Sequence, residues 1–282
     1  MERRVFKFGE TSIAMVLPKP WADKNGLKPS APVQITETDD GSLMVSSKGK
    51  VSKSADMIIS REMKPLLVSR WVGMHYIYGV SKLRIYCREG ISASQLDAIE
   101  AKISSDCPGF EITGQSNNDI NIEDFMDMKE VTLEKLLNRI RSLLGFEFRE
   151  MIEGEPSAIK KIEKLVNRFY MLGTRYTYIT QPSNELKYLK ILEFMEMISD
   201  NMEMLAATLD AKQAKIFEEL RKQFEASVVA LTGDTKAIEN VERMREDVRK
   251  KIANSRLDKI DSMHLYQIAD YISSMAEFGL KV

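Results

Sequence analysis

Glu196 and Asp200 stand four residues apart, and carboxylates at that spacing project from one face of a helix. Glu193 and Glu203 extend the pair into an acidic stripe spanning roughly 80° of the helix wheel at ~100° per residue. Leu192, Met195, Ile198, Met202 and Leu205 fall on the other side and make the expected core face. Such a stripe is either a ligand surface or an ordinary solvated face. A second concentration of charge has the opposite sign. Residues 1–30 carry Arg3, Arg4, Lys7, Lys19, Lys24 and Lys28 against Glu2, Glu10 and Asp23, a net of +3. In a dimer that patch doubles, enough to attract phosphates in a salt-dependent way.

The rest of the chemistry is sparse. The 282 residues contain two histidines, His75 and His264, too few for a His-rich zinc site or a carboxylate–histidine di-iron bundle. No GxGxxG, P-loop or G-x-S-x-G occurs, so the chain is expected to be non-enzymatic. Cys87 and Cys107 lack metal-type spacing, and two thiols in a chain this long fit a reducing cytoplasm. Cys87 reads as a buried strand thiol and Cys107, before Pro108-Gly109, as an exposed turn residue. No apolar run approaches ~18 residues, so no membrane insertion is expected. The start, MERRVFKFGE, lacks the apolar run of a signal peptide. With 44% hydrophobic and 29% charged residues and a net charge of -1, the chain can build cores but is not suited to coating nucleic acid along its length.

Three styles of sequence must position these groups. Residues 1–50 read as short strands and turns: RRVFKF, the turn GETS, SIAMVLP, a short helix PWADKNGL stopped at Asn25-Gly26, then a hairpin around Asp39-Asp40-Gly41. About 50 residues sit near the lower limit for independent folding without a disulfide or metal, so a second copy is expected to complete the core. Residues 51–130 alternate strands and helices, an α/β unit with one sheet. Its strands are SADMIIS, KLRIYC and GFEITGQ, with DINIEDFM as an edge strand and Ser92 capping the second helix. Residues 131–282 predict six helices, about 132–152, 156–178, 184–208, 211–231, 235–253 and 258–279, in a bundle of antiparallel neighbours. A faint echo between MEMISDNMEMLA and YQIADYISSMAE points to two three-helix units.

This order of styles carries a resemblance. VFKFGETSIAMVLPKPWADKNGLKPSAPVQI resembles a SpoVT/AbrB-type (MazE-like) swapped-hairpin module. The helical half resembles PhoU, the phosphate-signalling regulator built from two three-helix repeats, with VNRFYML (166–172) and LEFMEMISDNMEMLA (192–206) as its motifs. Archaeal PhoU-like regulators combine the three parts in this order. The resemblance implies a dimeric regulator of phosphate uptake, with operator DNA and a phosphate transporter or signalling protein as partners. It implies DNA contact through Arg3 and Arg4 on the first strand and through Lys7. Glu10 and Ala22-Asp23 stand where DNA-binding members often carry basic residues, so a pure dimerisation cap is the competing reading. For the bundle, the resemblance implies iron or zinc held by Glu/Asp-x-x-x-Asp pairs, here Glu196 and Asp200. The other pairs look degraded, as Glu163–Asn167 and Tyr266–Asp270; Glu242 and Glu246 keep the spacing.

Several other residues have plainer readings. The methionines mostly fill the bundle core, with Met197 and Met204 nearer the acidic face and candidates for a partner groove. His264 reads as structural. Arg70-Trp71 and His75-Tyr76 invite base stacking, but their helical spacing favours packing on the sheet.

Overall fold

The computed structural model describes residues 3–37, 41–46, 53–128, 131–182 and 184–279. It divides into two units, Met1–Ser52 and Lys53–Val282.

In the first unit, alternating polar and apolar residues form β1 (Val5–Phe8) and β2 (Ser12–Met15), paired antiparallel from Val5 opposite Met15 to Phe8 opposite Ser12. Gly9, at φ +70°, supplies the left-handed turn between them. Pro18 and Pro20 fix the entry to a one-and-a-half-turn helix α1 (Lys19–Lys24), and Asn25-Gly26 ends it. A second hairpin joins β3 (Gln34–Glu37) to β4 (Leu43–Ser46); Asp39 and Asp40 of the expected turn lie outside the described residues. The two hairpins form separate two-stranded sheets, and none of this unit's residues whose burial is described is buried. Phe8 is 68% and Ile13 75% exposed.

The second unit begins with an α/β segment: β5 (Lys53–Ile59), α2 (Pro65–Ile77), β6 (Val80–Cys87), α3 (Ala93–Asp106), β7 (Phe110–Gln115) and β8 (Asp119–Asp124). The α2 crossover makes β5 and β6 parallel, and the other pairings are antiparallel, in the order β5-β6-β8-β7. DINIEDFM is therefore an interior strand and not an edge strand: β8 pairs with β6 on one side and with β7 on the other, while Ile120 and Ile122 turn into the core. Met57, Ile59, Leu83, Ile85, Ile120 and Ile122 share a core with α2 and α3. The opposite face is polar, with Lys82–Glu123 and Arg84–Asp119 ion pairs at 3.3 and 2.5 Å. Ser92 caps α3 as expected, in a reciprocal capping box with Gln95. On α2, Tyr76 packs inward, its hydroxyl donating to the Pro108 carbonyl at 3.0 Å, whereas Arg70 and Trp71 face outward.

Six helices follow: α4 (Leu133–Glu153), α5 (Ile159–Thr180), α6 (Glu185–Ala206), α7 (Ala211–Ala230), α8 (Thr235–Asn254) and α9 (Lys259–Glu277). Their ends are written in side chains. Thr132, Asp210, Asp234 and Asp258 cap N-termini, and Gly154 ends α4 in the left-handed conformation. α4, α5 and α6 pack on one another, as do α7, α8 and α9; between the sets α4 meets α7 and α6 meets α9. One apolar core runs through both sets. No described helix is long and apolar enough to cross a membrane.

α5 has a second role, because it also packs on α2 and α3. Arg175 of α5 donates to the Tyr76 and Val80 carbonyls and to Asp124 at the end of β8. At the α5–α6 contact, a Cβ on Gly173 would stand 2.8 Å from Leu192 Cδ1. Gly173→Val is expected to force that pair apart and cost about 1–3 kcal/mol, read as a lower urea midpoint at unchanged m-value.

Candidate functional site

The acidic stripe is assembled from three helices. α6 supplies Glu196, Asp200 and Glu203, and α5 brings Glu163 alongside; Glu193 is drawn off to Lys190 at 2.7 Å. Beneath them lies Glu147 of α4, fully buried. Its Oε1 accepts from Ser199 Oγ at 2.7 Å, and its Oε2 has no hydrogen-bond partner among the described residues.

Crowded carboxyl groups with little water hold their protons. Burial pushes Glu147 up to about 8; the Ser199 hydrogen bond opposes this, and the nearby charges of Glu163, Asp200 and Glu203 add to it. Glu163 rises to about 7 through burial and then the charges of Glu203 and Asp200. Glu196 also rises to about 7, through burial and then Asp200, Glu163 and Glu193. Asp200, at the exposed rim, is raised by burial and then by Glu203.

The structure thus brings Glu196 and Asp200 together with two carboxyl groups not grouped with them in the sequence, Glu147 and Glu163. A local signal for Glu147 exists. It lies in the apolar stripe Ile140, Leu143, Leu144, Phe148, Met151, where a carboxylate is out of character. Among the described residues no group of three or more His, Cys, Asp or Glu side chains is placed to hold one ion. The remaining donors are engaged elsewhere. Glu242 pairs with Arg245 and accepts from Ser273, Asp270 is held by Arg249, and His264 bonds Asn201. Met197 is half-buried and Met204 exposed. Both thiols are buried. Cys107 is buried rather than exposed, because its turn tucks under the sheet, and burial pushes it up to about 12; Cys87 is also buried and raised by desolvation.

The basic candidates sit in the first unit. Arg3 and Arg4 precede β1 rather than lying on it, Lys7 lies within it opposite Ile13, and all three are exposed. Alternation puts Val5 and Lys7 on one face of the strand and Phe6 and Phe8 on the other. Glu10 at the hairpin tip and Asp23 on α1 are exposed as well. Apolar side chains thus line both faces of a hairpin that carries Arg3 and Arg4 at its open end and Lys7 and Glu10 near its turn.

Residues 9–53 match the family of MazE, the bacterial antitoxin of antidote–toxin recognition. The match covers the turn after β1, then β2, α1 and the second hairpin, so the N-terminal part is a MazE/AbrB-like module. Such a module suggests a regulatory role, through DNA or in the manner of an antitoxin. No curated protein and no solved structure matches the chain.

Proposed function

We propose that the chain is a dimeric, non-enzymatic cytoplasmic regulator that contacts DNA through its MazE-like module, with Arg3, Arg4 and Lys7 as phosphate contacts. The observation that carries this reading is a small basic unit, similar to MazE, that exposes Val5, Phe6, Phe8, Ile13, Met15 and Val16. Isolated two-stranded hairpins are marginal in water, so association with a second copy would supply the missing core. Modules of this type commonly dimerise and bind DNA or toxins. The finer assignment, to phosphate uptake with a transporter or signalling protein on the helical unit, rests on the resemblance of that half to PhoU and on the order of the parts. The packing of α4 on α7 and α6 on α9 is in keeping with two three-helix repeats.

Fluorescence anisotropy against genomic fragments, including promoters of phosphate-uptake genes, tests this at two salt concentrations. Sequence-preferring binding should weaken with salt by about 0.9 logarithmic units per neutralised phosphate for each tenfold rise in salt. The triple variant Arg3→Ala, Arg4→Ala, Lys7→Ala should flatten that dependence and lose at least about tenfold in affinity. No binding by the parent chain, or weak binding indifferent to these three residues, would refute the DNA reading. The second reading, a protein-only adaptor whose module merely dimerises, is favoured by exposed Glu10 and Asp23, which would repel a phosphate backbone.

A further inference from the structure

The helical unit contains its own standard of comparison. Buried Ile159 and Val166 of α5 share the spacing of Val241 and Val248 of α8, and Met195, Ile198, Met202 and Leu205 of α6 share that of Leu265, Ile268, Ile272 and Met275 of α9. With the two halves matched on these residues, Glu163 corresponds to Arg245, Asn167 to Arg249, Glu196 to Tyr266 and Asp200 to Asp270. Ile140, Leu144 and Phe148 of α4 likewise match Ile216, Leu220 and Phe224 of α7, which places Gln223 opposite Glu147.

In the second half this face is closed by its own cations. Arg245 pairs with Glu242 and stands 3.6 Å from Asp270. Arg249 donates to both Asp270 oxygens at 2.9 Å and lies 4.7 Å over the Tyr266 ring. Beneath it, neutral Gln223 donates to the Ala269 carbonyl at 2.9 Å. In the first half the same face has the acids without an arginine: Lys160 lines the hollow beside Glu203 and Lys164 acts on Glu163, but neither forms an ion pair with these acids. None of Glu163, Glu196, Asp200 and Glu203 has an ion-pair partner among the described residues. Under them, the buried Oε2 of Glu147 also lacks one.

We propose that this face binds an arginine side chain presented by a partner protein, its guanidinium taking in the first half the place that Arg245 and Arg249 hold in the second. A guanidinium suits the site because its planar fork can donate to carboxylates on two helices at once, while an ammonium is a compact and strongly hydrated point charge. An open hollow of about 540 Å³ begins at Glu203 and is lined also by Glu155, Ser157, Lys160 and Ala206. It gives room to the residues that flank the arginine. The site is independent of the DNA reading, since it lies wholly in the second unit.

The test uses the full chain and a fluorescein-labelled glycine–alanine peptide with two arginines, with lysine and citrulline versions of the same peptide. The arginine peptide should bind in the micromolar range, the lysine peptide about threefold or more weaker, and the neutral citrulline peptide at least about tenfold weaker. Glu163→Gln with Glu196→Gln should weaken the arginine peptide at least about tenfold. Glu163→Arg supplies within the chain the counterpart of the Arg245–Asp270 contact, facing Asp200, so it should abolish peptide binding and raise the thermal midpoint. Equal binding of the citrulline peptide, or arginine binding indifferent to the Gln variants, overturns the proposal. So does a chain that ignores the peptide but binds Mn²⁺ or Zn²⁺ in calorimetry and loses that metal in the same variants.

Discussion

Arg175→Leu is expected to be the most damaging single exchange in the second unit, lowering its stability by about 3–5 kcal/mol. The guanidinium is 2% exposed and its partner carboxylate, Asp124, is 6% exposed, with Nη2 and Oδ2 2.6 Å apart. Arg175 also donates to the Tyr76 and Val80 carbonyls and lies 4.5 Å from the Tyr76 ring centre and 5.5 Å from that of Phe110. Removing it leaves the buried Asp124 charge without its cation and takes a donor from the Val80 carbonyl, while the Tyr76 carbonyl keeps the Gly79 amide; the stranded charge costs far more than the attraction lost. Asp124 also accepts from the Met126 amide, a bond that an asparagine keeps. Adding Asp124→Asn should therefore recover a large part of the loss, since the stranded charge is gone. Guanidinium-chloride unfolding of the four chains of this cycle measures it. If Arg175→Leu costs less than about 1 kcal/mol, or Asp124→Asn restores nothing, the ion pair does not join α5 to the sheet as described.

Glu147→Gln is expected to stabilise the chain at pH 8 and to flatten its response to pH. The fold raises this carboxyl group from 4.5 to about 8, so between those values the native state keeps a proton that the unfolded state has released. Stability then falls as pH rises through that window, with no contribution from Glu147 below about 4.5 and the full cost above about 8. That cost is on the order of 5 kcal/mol for the fully buried side chain. Glu163 and Glu196, raised to about 7, add slope in the same direction. Glutamine is nearly isosteric, stays neutral, and occupies the matching place in the second half as Gln223. Urea midpoints at pH 5.5 and pH 8 decide the matter. The parent should be more stable at the acid end, and the variant should gain about 1–3 kcal/mol at pH 8. A parent midpoint unmoved by pH, or a variant with the parent's slope, would show that Glu147 ionises without cost.

Much of this architecture is legible locally. Gly154, Pro156, Pro182, Asp210, Gly233 and Asp258 punctuate the helical half, because caps and breakers act through their own backbone. Ser92 and the Gly9 turn are local in the same sense. The position of β8 is not, since two isoleucines in alternation say that one face is buried but not how many neighbours the strand has. Arg175 sits in RYTY, where nothing nearby announces that α2, β6 and β8 will converge on it. Glu196 and Asp200 could be placed on one face from spacing alone. Their company could not, because Glu147 and Glu163 lie on other helices and their desolvation depends on how α4, α5 and α6 pack.

The first unit has exposed hairpins where a core would be. On the proposed pairing, its folded population is a function of how much of the chain a cell contains, since mass action and not only intramolecular contacts sets the equilibrium. Scarce chains would present this segment as a peptide open to proteases, whereas abundant ones would protect one another by associating. Operator occupancy would then rise more steeply than expression itself, so the gene's own dosage acts as an input alongside whatever the helices receive.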